Sequence, residues 1–150
     1  MKESEFNELI TEFVKKYRND GWELSDEGMQ MYGVNSRKQI PCVFDNFTVF
    51  ANYYISLDQV FSTPVLSATF YNEVGHRLTY DELLKIIPEK LDLGSISERE
   101  DENVGEPVFF IHPCKTEEFI KPFLLDDNNK NYLHIFMIRY GPIFFYKLPF

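Results

Sequence analysis

Two cysteines, Cys42 and Cys114, are the residues of this chain best suited to covalent chemistry. A thiolate is a strong nucleophile near neutral pH, and its reactivity follows exposure and local charge. Cys114 comes after the apolar run 108–111, then His112 and the rigid Pro113, and before Lys115 and Thr116. A thiol at such a junction can be held in place and still face solvent. Lys115 favours the thiolate, whereas Glu117 and Glu118 oppose it. Spacing alone favours a packed, inert thiol. Cys42 lies among Pro41, Val43 and Phe44 and reads as a packed strand residue. The chain is expected in a reducing compartment, which leaves a Cys42–Cys114 disulfide as the minority reading.

Other machineries are missing from the sequence. It has no Gly-rich phosphate loop ending in Lys-Ser/Thr, no dinucleotide fingerprint, no His-Glu-x-x-His and no Gly-x-Ser-x-Gly elbow. Its three histidines and two cysteines do not fall at zinc-site spacings. No cofactor and no metal are therefore expected. A net charge of -9 argues against a general nucleic-acid binder, whose affinity comes largely from cationic contacts to phosphate. No run reaches the apolar length of a membrane span, and residues 1–10 are too polar and acidic for a secretory signal. The 150 residues, with 15 Phe and 9 Tyr, suit a single domain over 1–150 with a core of its own.

The elements that must position Cys114 follow from periodicity. Phe6, Leu9, Ile10, Phe13, Val14 and Tyr17 form one apolar helix stripe. The helix is expected over 5–19, capped by Ser4 and stopped at Gly21. Strands are expected at 22–24 and 29–34 across a turn at 25–28, and at 39–44 after a second turn at 35–38. Pro41 suits an edge or a bulge, and Asp45-Asn46 turns or bends the chain. From 47 to 57 the odd positions are Phe, Val, Ala, Tyr, Ile and Leu, which predicts a half-buried strand with its odd face inward. Strand 64–71 places Leu66, Ala68 and Phe70 on one face, and a turn containing Gly75 ends it.

Thr79 and Glu82 fit a capping box opening a helix over 80–87, limited by Pro88. The acidic stretch 94–107 reads as a solvated loop, with a docking site as the alternative. Strand 108–111 delivers the chain to Cys114, after which Thr116 is expected to cap a short turn. Residues 132–140 are apolar nearly all round, which predicts a buried helix stopped by Gly141-Pro142, with a strand as the alternative. Strands in the middle and helices at the ends give an α+β fold.

The run Phe109-Phe110-Ile111-His112-Pro113-Cys114-Lys115-Thr116-Glu117-Glu118-Phe119 resembles the active-site segment of the autophagy ubiquitin-conjugating-like (E2-like) enzymes. The resemblance extends through Asn131-Tyr132, Gly141-Pro142 and Leu148-Pro149, and back to Gly105-Glu106-Pro107, segment 78–84 and strand 64–70. It covers residues 60–149 well and the first third loosely. It implies a ubiquitin-conjugating-enzyme-like fold, with a central antiparallel sheet, an N-terminal helix and helices after the sheet. It implies that Cys114 accepts a ubiquitin-like modifier, autophagy-related protein twelve, as a thioester. The activating enzyme would be autophagy-related protein seven, and the target a lysine of autophagy-related protein five. A thioester can acylate an amine without new ATP, so this chain would need no nucleotide site.

Ordinary ubiquitin-conjugating enzymes stabilise the oxyanion with the Asn of a His-Pro-Asn tripeptide some residues before their cysteine. Here His112-Pro113 runs straight into Cys114, so that Asn is absent. Candidate donors are His112, backbone amides near Cys114, and Tyr54, which shares the even face of strand 47–57 with Asn52. His112 fits a structural hydrogen bond equally well, and Tyr54 also fits an ordinary half-exposed aromatic. His76 and His134 read as structural, and Lys115 as a solvated or docking charge. Contacts with target or activating enzyme are expected along 29–50, where an exposed strand edge could pair with a partner. The polar first residues and the lack of an apolar span lead to the expectation of a cytoplasmic protein with no membrane anchor in the sequence, for which recruitment to the autophagosome-forming membrane would run through partners. Two other functions stay open from the sequence: a non-catalytic E2-like binding module with a buried Cys114, and a cysteine hydrolase.

Overall fold

The computed structural model describes residues 1–26, 30–41, 48–87, 95–124 and 130–149. Helix α1 (Glu3–Lys16) leads into strands β1 (Trp22–Ser25), β2 (Tyr32–Pro41), β3 (Thr48–Asp58) and β4 (Thr63–Tyr71). Helix α2 (Tyr80–Ile86) follows, then β5 (Ile96–Asp101) and β6 (Glu106–Ile111). The chain closes with α3 (Thr116–Ile120) and α4 (Tyr132–Tyr140). One six-stranded sheet runs β1-β2-β3-β4-β6-β5, and every neighbouring pair is antiparallel.

The period of two in β3 decides which face is the core. Val49, Ala51, Tyr53, Ile55 and Leu57 enter the main hydrophobic cluster, as the odd-face pattern predicts. Leu66, Ala68 and Phe70 of β4 and Phe109 and Ile111 of β6 join them on that side. Helix α1 covers this face with Phe6, Ile10, Phe13 and Val14. It can lie close because β2 carries Gly33 beneath it: a Cβ there would sit 2.8 Å from Ile10 Cδ1. Helix α4 adds Tyr132, Leu133, Phe136, Met137 and Tyr140 to the same cluster. A smaller cluster of Tyr32, Tyr54 and Val108, flanked by Val34 and Val104, forms on the opposite face.

Several boundaries differ from expectation for identifiable reasons. Helix α1 begins at Glu3 with Lys2 as an N-cap that makes no side-chain cap, so Ser4 lies inside the helix. It ends at Lys16, and a single 3-10 turn, Arg18–Asp20, carries the chain to Gly21 at φ 104°. The turn expected at 35–38 is a register shift within one long strand, β2. Asn35 is buried there, and its Nδ2 donates to the Asp20 carbonyl at 2.9 Å. That bond gives Asn35 a partner without a chain reversal. The acidic stretch expected as a loop holds β5, paired with β6 from Ile96 to Asp101. Glu98 and Glu100 are exposed and alternate with the half-buried Ser97 and Arg99. Such charges are tolerated because β5 is an edge strand. The capping box forms as expected, with Thr79 accepting from the Glu82 amide and Glu82 from the Thr79 amide. Residues 132–140 are helical, which settles the helix-or-strand alternative. The bend at 45–46 and Pro88 lie outside the described residues.

Candidate active site

Strand β6 buries Val108, Phe109, Phe110 and Ile111, and it pairs with β4 through Ser67–Phe110 and Ala68–Phe109. Its far end is fixed by the His112 amide, which donates to the Ser95 carbonyl at 2.8 Å. Pro113 then opens a 3-10 turn, Pro113–Lys115. Proline suits this position because its φ is preset and it has no amide hydrogen to satisfy. Pro113 is buried, while Cys114 and Lys115 are exposed. The next residue, Thr116, is only 2 % exposed and starts α3. Cys114 is thus a free, exposed thiol in a turn anchored by the buried Pro113 and Thr116.

His112 and Cys114 are brought together directly. The Cys114 amide donates to His112 Nδ1 at 3.2 Å. An imidazole that accepts at Nδ1 is neutral and carries its proton at Nε2, which leaves that nitrogen as a donor. The same bond occupies the Cys114 amide, one of the backbone groups considered for the oxyanion. The His112 ring lies beside Phe110 and Phe61, with centroids 6.4 and 5.3 Å away.

Tyr54 sits elsewhere in the ladder. It is opposite Ser67, which is in turn opposite Phe110, so Tyr54 is two strands from β6 and level with Phe110. Its ring lies 6.3 Å from that of Tyr32, and its hydroxyl is near Asn52 and Thr69. Burial, then the charge of Glu106, pushes the Tyr54 phenol from 10.0 up to about 12. Tyr54 is therefore a neutral hydroxyl at physiological pH. Its folded value exceeds the ordinary one, so its contribution to stability is complete below pH 10.0 and is lost as pH rises towards about 12. Tyr54→Phe is expected to flatten the alkaline fall of the melting temperature across that window. Identical falls in wild type and variant would remove Tyr54 as a source. Burial also raises Tyr53, Tyr132 and Tyr146, so some alkaline loss should remain.

Periodicity did not point to Tyr140 as part of the site. It is 1 % exposed, at the end of α4, and its hydroxyl is hydrogen-bonded to the Thr116 side chain. Burial raises its phenol, with a smaller contribution from the nearby Cys114. Thr116 therefore does not cap a turn: no side chain caps α3, and the Thr116 hydroxyl faces Tyr140. The available signal was Tyr132, Phe136 and Tyr140, spaced by four on one helix face. Phe136 and Tyr140 stack at 4.8 Å. His134 bonds the Tyr17 hydroxyl at 2.5 Å, in keeping with a structural role, and His76 is exposed. Cys42 lies outside the described residues. Among the described residues no cluster of three or more His, Cys, Asp or Glu could hold a metal, and no helix is long and apolar enough to cross a membrane.

One antiparallel sheet, an N-terminal helix, later helices on the same face and an exposed cysteine just past an inner strand together define an E2-like α+β domain. The solution structure of KmAtg10 shares this fold, with a TM-score of 0.57 over 95% of this chain and 93% of that one, at 18% identity. The chain belongs to the family described as Autophagocytosis associated protein, active-site domain, whose pattern matches residues 5–149. It is also 30% identical over 110 residues to the ubiquitin-like-conjugating enzyme ATG10 of Homo sapiens. That match covers 65% of this chain and 49% of the human protein, so the chain spans about half the length of the curated relative it matches.

Proposed function

We propose that this chain is an E2-like conjugating transferase of autophagy that carries a ubiquitin-like modifier as a thioester on Cys114. The observation that carries the reading is an exposed thiol, fixed by the His112 bond, in a chain of this family. Cys114 Sγ attacks the activated C-terminal carbonyl of the modifier and displaces the thiol of the activating enzyme. A target amine then attacks the new thioester, and Cys114 leaves as the thiolate. His112 supports this chemistry as positioner of the turn and, through Nε2–H, as a donor to the oxyanion. Tyr54, a neutral hydroxyl level with Phe110 and two strands away from β6, is the second candidate donor to the oxyanion. The resemblance supports autophagy-related protein twelve as the modifier, seven as the activating enzyme and five as the target, in the cytoplasm.

Charging with activating enzyme, ATP and modifier tests this. A modifier-bearing band that disappears with reductant is expected for wild type. Cys114→Ser should give a reductant-resistant ester, and Cys42→Ser should still charge. No charging, with slow alkylation of Cys114 in the folded protein, would favour a non-catalytic binding module instead.

A further inference from the structure

The β3–β4 hairpin places an apolar pair, Val60 and Phe61, at its tip, 86% and 41% exposed. Solvent gives no reason to hold such residues in a fixed turn, yet this turn is fixed at several points. Asp58 Oδ1 accepts from the Phe61 amide at 2.9 Å. Asp58 Oδ2 lies 3.8 Å from Arg99 Nη1 on β5, and the Arg99 guanidinium sits 4.3 Å above the Phe110 ring. Ser62 takes a left-handed φ of 54°, a conformation uncommon for residues other than glycine. These constraints converge on one contact, the Phe61 ring edge-to-face with His112 at 5.3 Å and 74°. Phe110 lies beside His112 at 6.4 Å. The imidazole is therefore bounded by two aromatic rings, and its Nδ1 holds the Cys114 amide.

We propose that Phe61 is a positioning residue for transfer: it fixes the His112 ring so that Nδ1 holds the Cys114 turn and Nε2–H keeps one direction. This inference rests on the reading of Cys114 as the thioester carrier. Asp58 acts one step further out by setting the hairpin tip. The edge-to-face contact adds a restraint on ring orientation, because the half-exposed imidazole is otherwise held by the Cys114 amide at Nδ1 and by Phe110 on one side. The geometry of His112 matters most when charge develops on the thioester oxygen. Loss of Phe61 should therefore slow discharge to an amine more than it slows charging.

The experiment compares wild type, Phe61→Ala and Phe61→Tyr. Single-turnover discharge of the preformed thioester to a lysine-bearing acceptor should slow about tenfold in Phe61→Ala, since small misplacements of catalytic groups carry costs of this order or larger. Half-saturation by the acceptor should stay the same. Phe61→Tyr keeps the ring and should restore discharge to within about twofold, a difference too small to count as a lost contact. In the free protein, the His112 ring-proton signals should move in Phe61→Ala and stay near wild type in Phe61→Tyr. Discharge by Phe61→Ala at the wild-type rate overturns the proposal, as does equal loss of charging and discharge alongside a lowered melting temperature. Failure of wild type to charge would overturn the thioester reading instead. The His112 signals would then decide the Phe61 contact alone, and unmoved signals would end it.

Discussion

Cys114→Ala is expected to abolish modifier transfer while leaving the melting temperature within about 2 °C of wild type, since exposed substitutions away from special features usually stay within about 0.5 kcal/mol. The side chain is exposed and makes no disulfide. What holds the turn is its backbone: the amide to His112 Nδ1, and the Thr116 amide to the Pro113 carbonyl. Alanine keeps both bonds. It removes only the sulfur, and no hydroxyl or amine within the 3-10 turn itself can form a comparable acyl intermediate. Charging gels and thermal melts on the same preparation separate the two effects. A melting temperature lowered by more than several degrees would show that the thiol is packed, and would return Cys114 to the ordinary role that its apolar flank suggests.

Legibility of the sequence depended on whether burial was one-sided. Helix α1 and strand β3 bury one face strongly, so their periods of 3.6 and two are printed in the residue order. Strand β4 is buried on both faces from Thr63 to Phe70, so alternation marks it weakly, and its length and the following turn with Asn72 and Gly75 betray it. The register shift at Asn35 could not be read, because Asn and Ser favour turns and bulges alike. Strand β5 was hidden because its charges sit at a sheet edge, where an acidic strand and an acidic loop have the same composition. In the candidate site, the strand end before Cys114 was legible from the switch between an apolar run and polar residues, but that switch alone favoured a packed thiol, and only the resemblance of 109–119 singled Cys114 out. Phe61 and Tyr140 were not: both reach the site from segments distant in the chain. The one is 53 positions before Cys114 and the other 26 after it. Only the antiparallel ladder and the return of α4 bring them near.

Phe70→Ala is expected to cost about 3–5 kcal/mol, the usual range for emptying a buried phenylalanine site. The ring is fully buried in β4 and touches four others: Tyr53 at 6.3 Å, Phe109 at 6.4 Å, Phe144 at 5.7 Å and Phe145 at 6.4 Å. These come from β3, from β6 and from the segment after α4, so no single element can move in to fill the void without losing its own contacts. For a domain of this size the loss corresponds to a fall of about 6–20 °C in melting temperature. It would consume a large share of a typical stability of about 5–15 kcal/mol. The consequence for function follows through Phe109, whose strand leads into the turn that holds Cys114. Well below the new melting temperature, Cys114 should charge at nearly the wild-type rate per folded molecule, because Phe70 faces the core side of the sheet and makes no ring contact with His112. Close to it, charging should fall in step with the folded fraction followed by circular dichroism. Phe70→Leu keeps most of the volume and should fall between the two. A Phe70→Ala melt within about 2 °C of wild type, equivalent to about 0.5–1 kcal/mol, would mean that the five-ring cluster is not the centre of the core.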